Sequence, residues 1–135
     1  MKVMMTVCLT LLAFSLNAAP PDWTIKSGHK NAMIVYVRVL DSSGHPMVEP
    51  GCRLGAFEHG NLVGSTPVSQ GPEGPVYQLK VGSDQVWSAL EYKFYDPKTD
   101  GIIPVESGPE FVSGTFVGTI ARPISLRLKN PIICR

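Results

Sequence analysis

The sequence is poor in the residues that carry chemistry. It holds three histidines and three cysteines in 135 residues. His29, His45 and His59 each stand beside a glycine or proline, in segments that read as loops, and their separation along the chain does not suit a shared metal site. No serine sits in a GxSxG elbow, and no cysteine is placed for a Cys/His pair. The one close pair of carboxylates, Asp96 and Asp100 in "YDPKTDG", falls on Asp-Pro and Asp-Gly steps, which form turns. Two carboxylates with a lysine between them also fall short of the oxygen count that calcium takes. These absences point away from an enzyme, a metal site or any other cofactor.

Charge of either sign is equally short. Twelve Lys and Arg against eleven Asp and Glu leave a net charge of +1, so no basic field invites nucleic acid and no acidic tail points to a charged partner. Helical periodicity is nowhere sustained for three turns, and no internal repeat or linker occurs. A long apolar run occurs once, at "VMMTVCLTLLAFSL", Val3 to Leu16. A membrane span needs about 20 residues, and this run is shorter. With Lys2 before it and the small residues Asn17 to Ala19 behind, it reads as a secretory signal peptide. Cleavage is placed after Ala18, because a cut after Ala19 would put Pro20 beside the scissile bond. Cys8 lies too early, inside the apolar run, to be an acylation site.

The expected organisation is therefore a signal peptide over residues 1–18, one domain over residues 19–130 and a tail over residues 131–135. The expected destination is secreted, periplasmic or cell-surface, without a membrane span after cleavage. Export leaves Cys52 and Cys134 under oxidising conditions, where a pair commonly bridges. Such a bridge would close a loop of about 80 residues and, in the chain-entropy account, stabilise the fold by up to roughly 4 kcal/mol. The alternative is two reduced thiols, with Cys134 on a frayed tail.

Glycine and proline are what the sequence has in plenty, 13 and 12 of them, and they cut it into short segments. The segments alternate as strands do. In "NAMIVYVRVL", Met33, Val35, Val37 and Val39 fall on one face and Ile34, Tyr36, Arg38 and Leu40 on the other. "RLGAFE" and "NLVGSTPV" flank Gly60-Asn61, a two-residue hairpin signal. "PVYQLKV", "LEYKFYD", "GIIPVES", "EFVSGTFVG" and "PISLRLK" follow, with Pro104 confining its strand to a sheet edge. "GSDQVWSALEY" has room for one helical turn around Asp84 to Ala89, with Trp87 plugging an end of the fold. About seven to nine short strands at roughly ten-residue spacing predict an all-β fold, a single antiparallel β-sandwich.

The order of these features, from "DWTI" through "MIVYVRVLDSSG", "LGAFEHGNLVGSTP" and "LEYKFYDPKTDG" to "GTFVG", resembles a module of secreted and cell-surface proteins of Bacteroidetes and related bacteria. The resemblance spans Trp23 to Leu128. Val63 replaces the basic residue usual before the second hairpin glycine, and the acidic residues before the hairpin are thinned to Glu49. The resemblance implies an immunoglobulin-like sandwich and no particular activity.

The functional expectation is a non-catalytic binding or surface-assembly protein that presents loops on a rigid scaffold, its partner an unidentified protein or glycan. The candidate loops are Ser42 to Gly51, Ser65 to Gly74 and Asp96 to Gly101. The rival is a small carbohydrate-binding protein that stacks sugar rings on exposed aromatics, for which Tyr36, Trp87 and Tyr95 are the candidates. A secreted enzyme, or an inhibitor of one, is the weaker third reading. Mass spectrometry of the exported protein should give a chain beginning at Ala19, two hydrogens lighter before reduction than after; a mass that reduction leaves unchanged means two thiols.

Overall fold

The computed structural model describes residues 21–25 and 28–129; the expected signal peptide, the tail and Cys134 lie outside the described residues. In chain order the strands are β1 (Asn31–Leu40), β2 (Arg53–Glu58), β3 (Asn61–Pro67), β4 (Ser69–Gly71), β5 (Gly74–Ser83), β6 (Trp87–Ser88), β7 (Glu91–Asp96), β8 (Gly101–Pro104), β9 (Phe111–Val112), β10 (Phe116–Val117) and β11 (Ile124–Arg127). No helix occurs among the described residues. The stretch read as a helical turn is instead a bend at Asp84 to Val86 leading into β6.

The alternation read in β1 sets the first sheet. Met33, Val35, Val37 and Val39 are all buried to 1% exposure or less. β5 runs antiparallel along one edge of β1, from Asn31↔Ser83 to Val37↔Tyr77, and this register puts Tyr77, Leu79 and Val81 on the same inner face. β4 extends the start of β5. The other edge of β1 is shared by β10 in its first half and β11 in its second, both parallel to it. That is a departure from wholly antiparallel pairing. Parallel neighbours need a long connection between them, and here most of the chain lies between β1 and its two late partners.

The second sheet, in the order β3-β2-β7-β8, is antiparallel throughout. Its inner face brings Leu54, Ala56, Tyr92 and Phe94 into the same hydrophobic core as the β1 and β5 stripes. Tyr77 and Phe94 meet edge-on across that core at 5.9 Å. The two buried phenols keep hydrogen bonds: Tyr77 donates to the Met47 carbonyl (2.8 Å) and Tyr92 to the Pro109 carbonyl (2.7 Å). Burial pushes both phenols well above their ordinary range. Cys52 is also in this core, and burial likewise raises its thiol.

The two sheets are joined along one side. The Val105 N–H donates to Tyr92, the Glu106 N–H to Arg127 and the Lys129 N–H to Pro104, so hydrogen bonding turns the corner from β8 to the end of β11. On the opposite side β3 and β5 approach closely, and the closeness depends on Gly64. A Cβ there would stand 2.7 Å from the Lys80 carbonyl oxygen.

The β2–β3 hairpin turns on His59 and Gly60, whose φ values of 50° and 81° are both in the left-handed region. This is the type I′ geometry that matches strand twist. The turn therefore lies one residue earlier than the Gly60-Asn61 signal suggests, and Asn61 pairs with Glu58. Register slips at Val63, which has no partner between Leu62↔Phe57 and Gly64↔Ala56; the bulge turns Val63 into the core. On the outer face Trp23 lies over Gly55 and edge-on to Phe57 (5.6 Å), and Lys93 stands 4.8 Å from the Phe57 ring centre.

Gly64→Ala should force β3 from β5 and destabilise the domain by about 1–3 kcal/mol in urea denaturation. Gly28→Ala, where nothing lies within 4 Å of the added carbon, should change stability by less than about 0.5 kcal/mol. Equal effects at the two positions would mean that the sheets do not depend on this approach.

Candidate binding site

β6 and β9 form a ribbon of two residue pairs, Trp87↔Val112 and Ser88↔Phe111. Alternation sends the second pair inward, with Phe111 at 0% and Ser88 at 4% exposure. The first pair faces solvent, with Trp87 at 55% and Val112 at 42%. Val86 precedes Trp87, and its carbonyl accepts the Ser113 N–H at 2.9 Å. Beyond the Ser113-Gly114 turn, Phe116 is in register with Ile34 of β1. Val86 and Phe116 are also exposed, at 73% and 68%. Four large apolar side chains are thus exposed on the ribbon and the residues that flank it in sequence.

The indole in this group is held in place. Trp87 Nε1 donates to Glu110 Oε2 at 2.8 Å, a bond between two exposed side chains. The backbone beneath is tied to the ends of β1 and β5. Lys30 N–H donates to Asp84 Oδ1 (3.0 Å), Asn31 Nδ2 to the Gln85 carbonyl (3.1 Å) and Gly114 N–H to the Ala32 carbonyl (2.8 Å).

A polar clamp anchors the ribbon from the inside. Ser83 is fully buried, and its hydroxyl donates to Glu58 Oε2 at 2.6 Å while accepting the Gln85 N–H at 3.0 Å. These donors hold the Glu58 carboxyl below its ordinary range. The Ser83 hydroxyl has the largest effect; burial opposes it, and the Ser88 hydroxyl adds to it. Glu58 ends β2 and Ser83 ends β5, so this hydrogen bond ties the two larger sheets at one end of the core, and Ser83 passes it on to the Gln85 N–H just before the ribbon. The Ser88 hydroxyl itself lies 3.4 Å from the Ala89 carbonyl it donates to.

The three aromatics singled out in the sequence are not brought together; they sit on three different sheets. Trp87 is on the ribbon. Tyr36 is half-buried on the outer face of β1, beside Gln78. Tyr95 is buried on the second sheet, and its hydroxyl donates to Asp100 Oδ1 at 2.7 Å. The candidate loops are braced by their own residues. Asp41 accepts the backbone N–H groups of Ser43 and His45, Asp96 accepts that of Lys98, and Lys98 pairs with Glu49. Much of Ser65 to Gly74 is strand, in β3 and β4. Two surface cavities of about 590 and 390 Å³ share Ile25, His29 and Val63 beside β3. Among the described residues no serine or cysteine is hydrogen-bonded to a histidine, and no group of three metal-ligating side chains occurs.

No family model, no curated protein and no solved structure matches this chain. The functional reading therefore rests on the chemistry of its own surface. Sequence reasoning singled out Trp87 and missed Val86, Glu110, Val112 and Phe116. The two apolar runs of "EFVSGTFVG" were legible, but not which residues of each run face outward.

Glu58 gives the clamp a pH signature. A carboxyl whose folded-state pKa lies below its ordinary 4.5 contributes its full stability above that value and loses it as pH falls through the folded value. Wild-type thermal stability should therefore fall on acidification below about pH 4.5, and Glu58→Gln should blunt that fall. Glu58→Ala leaves the buried Ser83 hydroxyl without its acceptor and should cost about 1–3 kcal/mol in urea. Equal acid limbs in wild type and Glu58→Gln would remove Glu58 from the role of clamp.

Proposed function

We propose that this chain is an exported, non-catalytic binding protein built as an immunoglobulin-like β-sandwich, and that the ribbon face around Trp87 is its docking surface. The shared core of the two larger sheets supports the sandwich, as does the order of features that resembles the bacterial surface module. A bridge between Cys52 and Cys134 belongs to the same reading of an exported chain.

The observation that carries the docking surface is the exposed, tethered Trp87 among Val86, Val112 and Phe116. Contiguous exposed apolar side chains mark interaction sites, and tryptophan is enriched among residues that dominate binding energy. A side chain already held by Glu110 has less freedom left to lose on association. Carbohydrate binding is the second reading, favoured by the same tethered indole, whose flat face suits a sugar ring. In that reading Trp87 stands apart from Tyr36 and Tyr95.

The mature protein, immobilised and probed with cell-envelope extract, secretions and glycan arrays, should bind a component saturably. Trp87→Ala should abolish that binding. Ile102→Ala, which removes an apolar side chain of similar exposure (51%) from the other sheet, should leave it intact. Binding confined to one glycan class moves the assignment to the carbohydrate reading. Binding that survives Trp87→Ala rules out the ribbon face.

A further inference from the structure

The segments around Trp87 have a charge pattern that the chain as a whole lacks. The two segments that build and flank the ribbon, Asp84 to Tyr92 and Val105 to Ala121, contain Asp84, Glu91, Glu106 and Glu110 and no lysine or arginine. All four acids are exposed. Over the rest of the chain bases outnumber acids, twelve to seven. Among the described residues Glu91, Glu106 and Glu110 take part in no ion pair, and Asp84 has only His29, at 3.8 Å. Glu91 and Glu106 share a surface pocket with Lys93 and Lys129 on the second sheet, so Glu110 and Asp84 are the acids beside the ribbon itself. Arg127, whose carbonyl accepts the Glu106 N–H, sends its guanidinium to the Ser42 carbonyl at 3.1 Å. Lys93 is occupied over Phe57, and Lys30 adjoins the site at Asp84.

Building on the docking reading, we infer that this face takes a basic polypeptide segment, with an arginine flanked by apolar side chains. The tethered indole offers a π-face, and tryptophan is the aromatic that binds cations best. Glu110 spends Oε2 on the indole N–H, and no protein donor is bonded to Oε1 among the described residues. A guanidinium stacked on Trp87 therefore has a carboxylate at the edge of the same ring. Arginine is suited to this double contact because it stacks flat and donates in the plane. Val86, Val112 and Phe116 supply apolar surface for the flanking side chains. Anionic partners, nucleic acid and acidic lipid included, meet the Glu110 and Asp84 carboxylates and are repelled.

Random peptides displayed on phage and selected on the mature protein provide the test. Recovered binders should be enriched in arginine next to aromatic or aliphatic residues. A synthetic copy of one should lose about tenfold in affinity on Trp87→Ala. Glu110→Gln is the sharper variant, because the amide oxygen still accepts the indole N–H while the charge is gone. It should weaken the arginine peptide several-fold and flatten its salt dependence, and leave a citrulline-substituted copy unchanged. Binders that need Trp87 but show no basic preference overturn this inference and leave the docking surface in place. So does a neutral glycan that binds at Trp87 and is not displaced by the arginine peptide. Failure to recover any peptide whose binding depends on Trp87 overturns this inference too, and the docking surface is then decided by the extract and glycan experiment.

Discussion

The fold depends on β1 being paired along both edges. A strand bonded on one side only has a free backbone edge and leaves its register open to slippage. β1 is fixed by β5 on one side and, end to end, by β10 and β11 on the other. A slip of one residue would send Met33, Val35, Val37 and Val39 to the outer face and break three pairings at once. That register also decides where Phe116 lies, because it pairs with Ile34, whose side chain points away from the core. The place of Phe116 on the surface is thus a consequence of packing at the centre.

Glu58 connects this framework to the surface. A carboxylate close to a core is costly unless it finds donors, and here the buried Ser83 hydroxyl supplies one. The clamp lies where β2 and β5 both end, so it does not interrupt either ladder. In the ribbon that follows Ser83, Ser88 is buried, and strand alternation then leaves Trp87 facing out. An exposed side chain at position 87 is therefore what burial of its neighbour requires.

The long strands were legible because their patterns are local. β1, β5 and β7 alternate in the sequence as they do in space, and Pro104 stands on an edge strand as its missing N–H demands. What was not legible depends on partners remote in sequence. The parallel pairing of β1 with β10 and β11 leaves no trace in either segment alone. The bulge at Val63 follows from the type I′ turn falling on His59-Gly60, one residue from the stronger dipeptide signal. Trp87 stood out by its chemistry, yet its tether Glu110 is 23 residues away, beyond any local pattern. Tyr95 looked available because it lies opposite the inner stripe of β7. Its burial comes from a loop that folds back to give it Asp100.

An exposed apolar ribbon would be a hazard if its backbone could recruit further strands. Here the geometry limits that risk. β6 and β9 each contribute two residues, too few to template a ladder, and the Ser113-Gly114 turn ends β9 at once. Carboxylates beside the ribbon also oppose self-association, because two copies brought face to face would set Asp84 and Glu110 against their counterparts. In the proposed binding role the same charges would make this surface receptive to a cation: apolar side chains would provide adhesion, and the acids would decide which partners can approach.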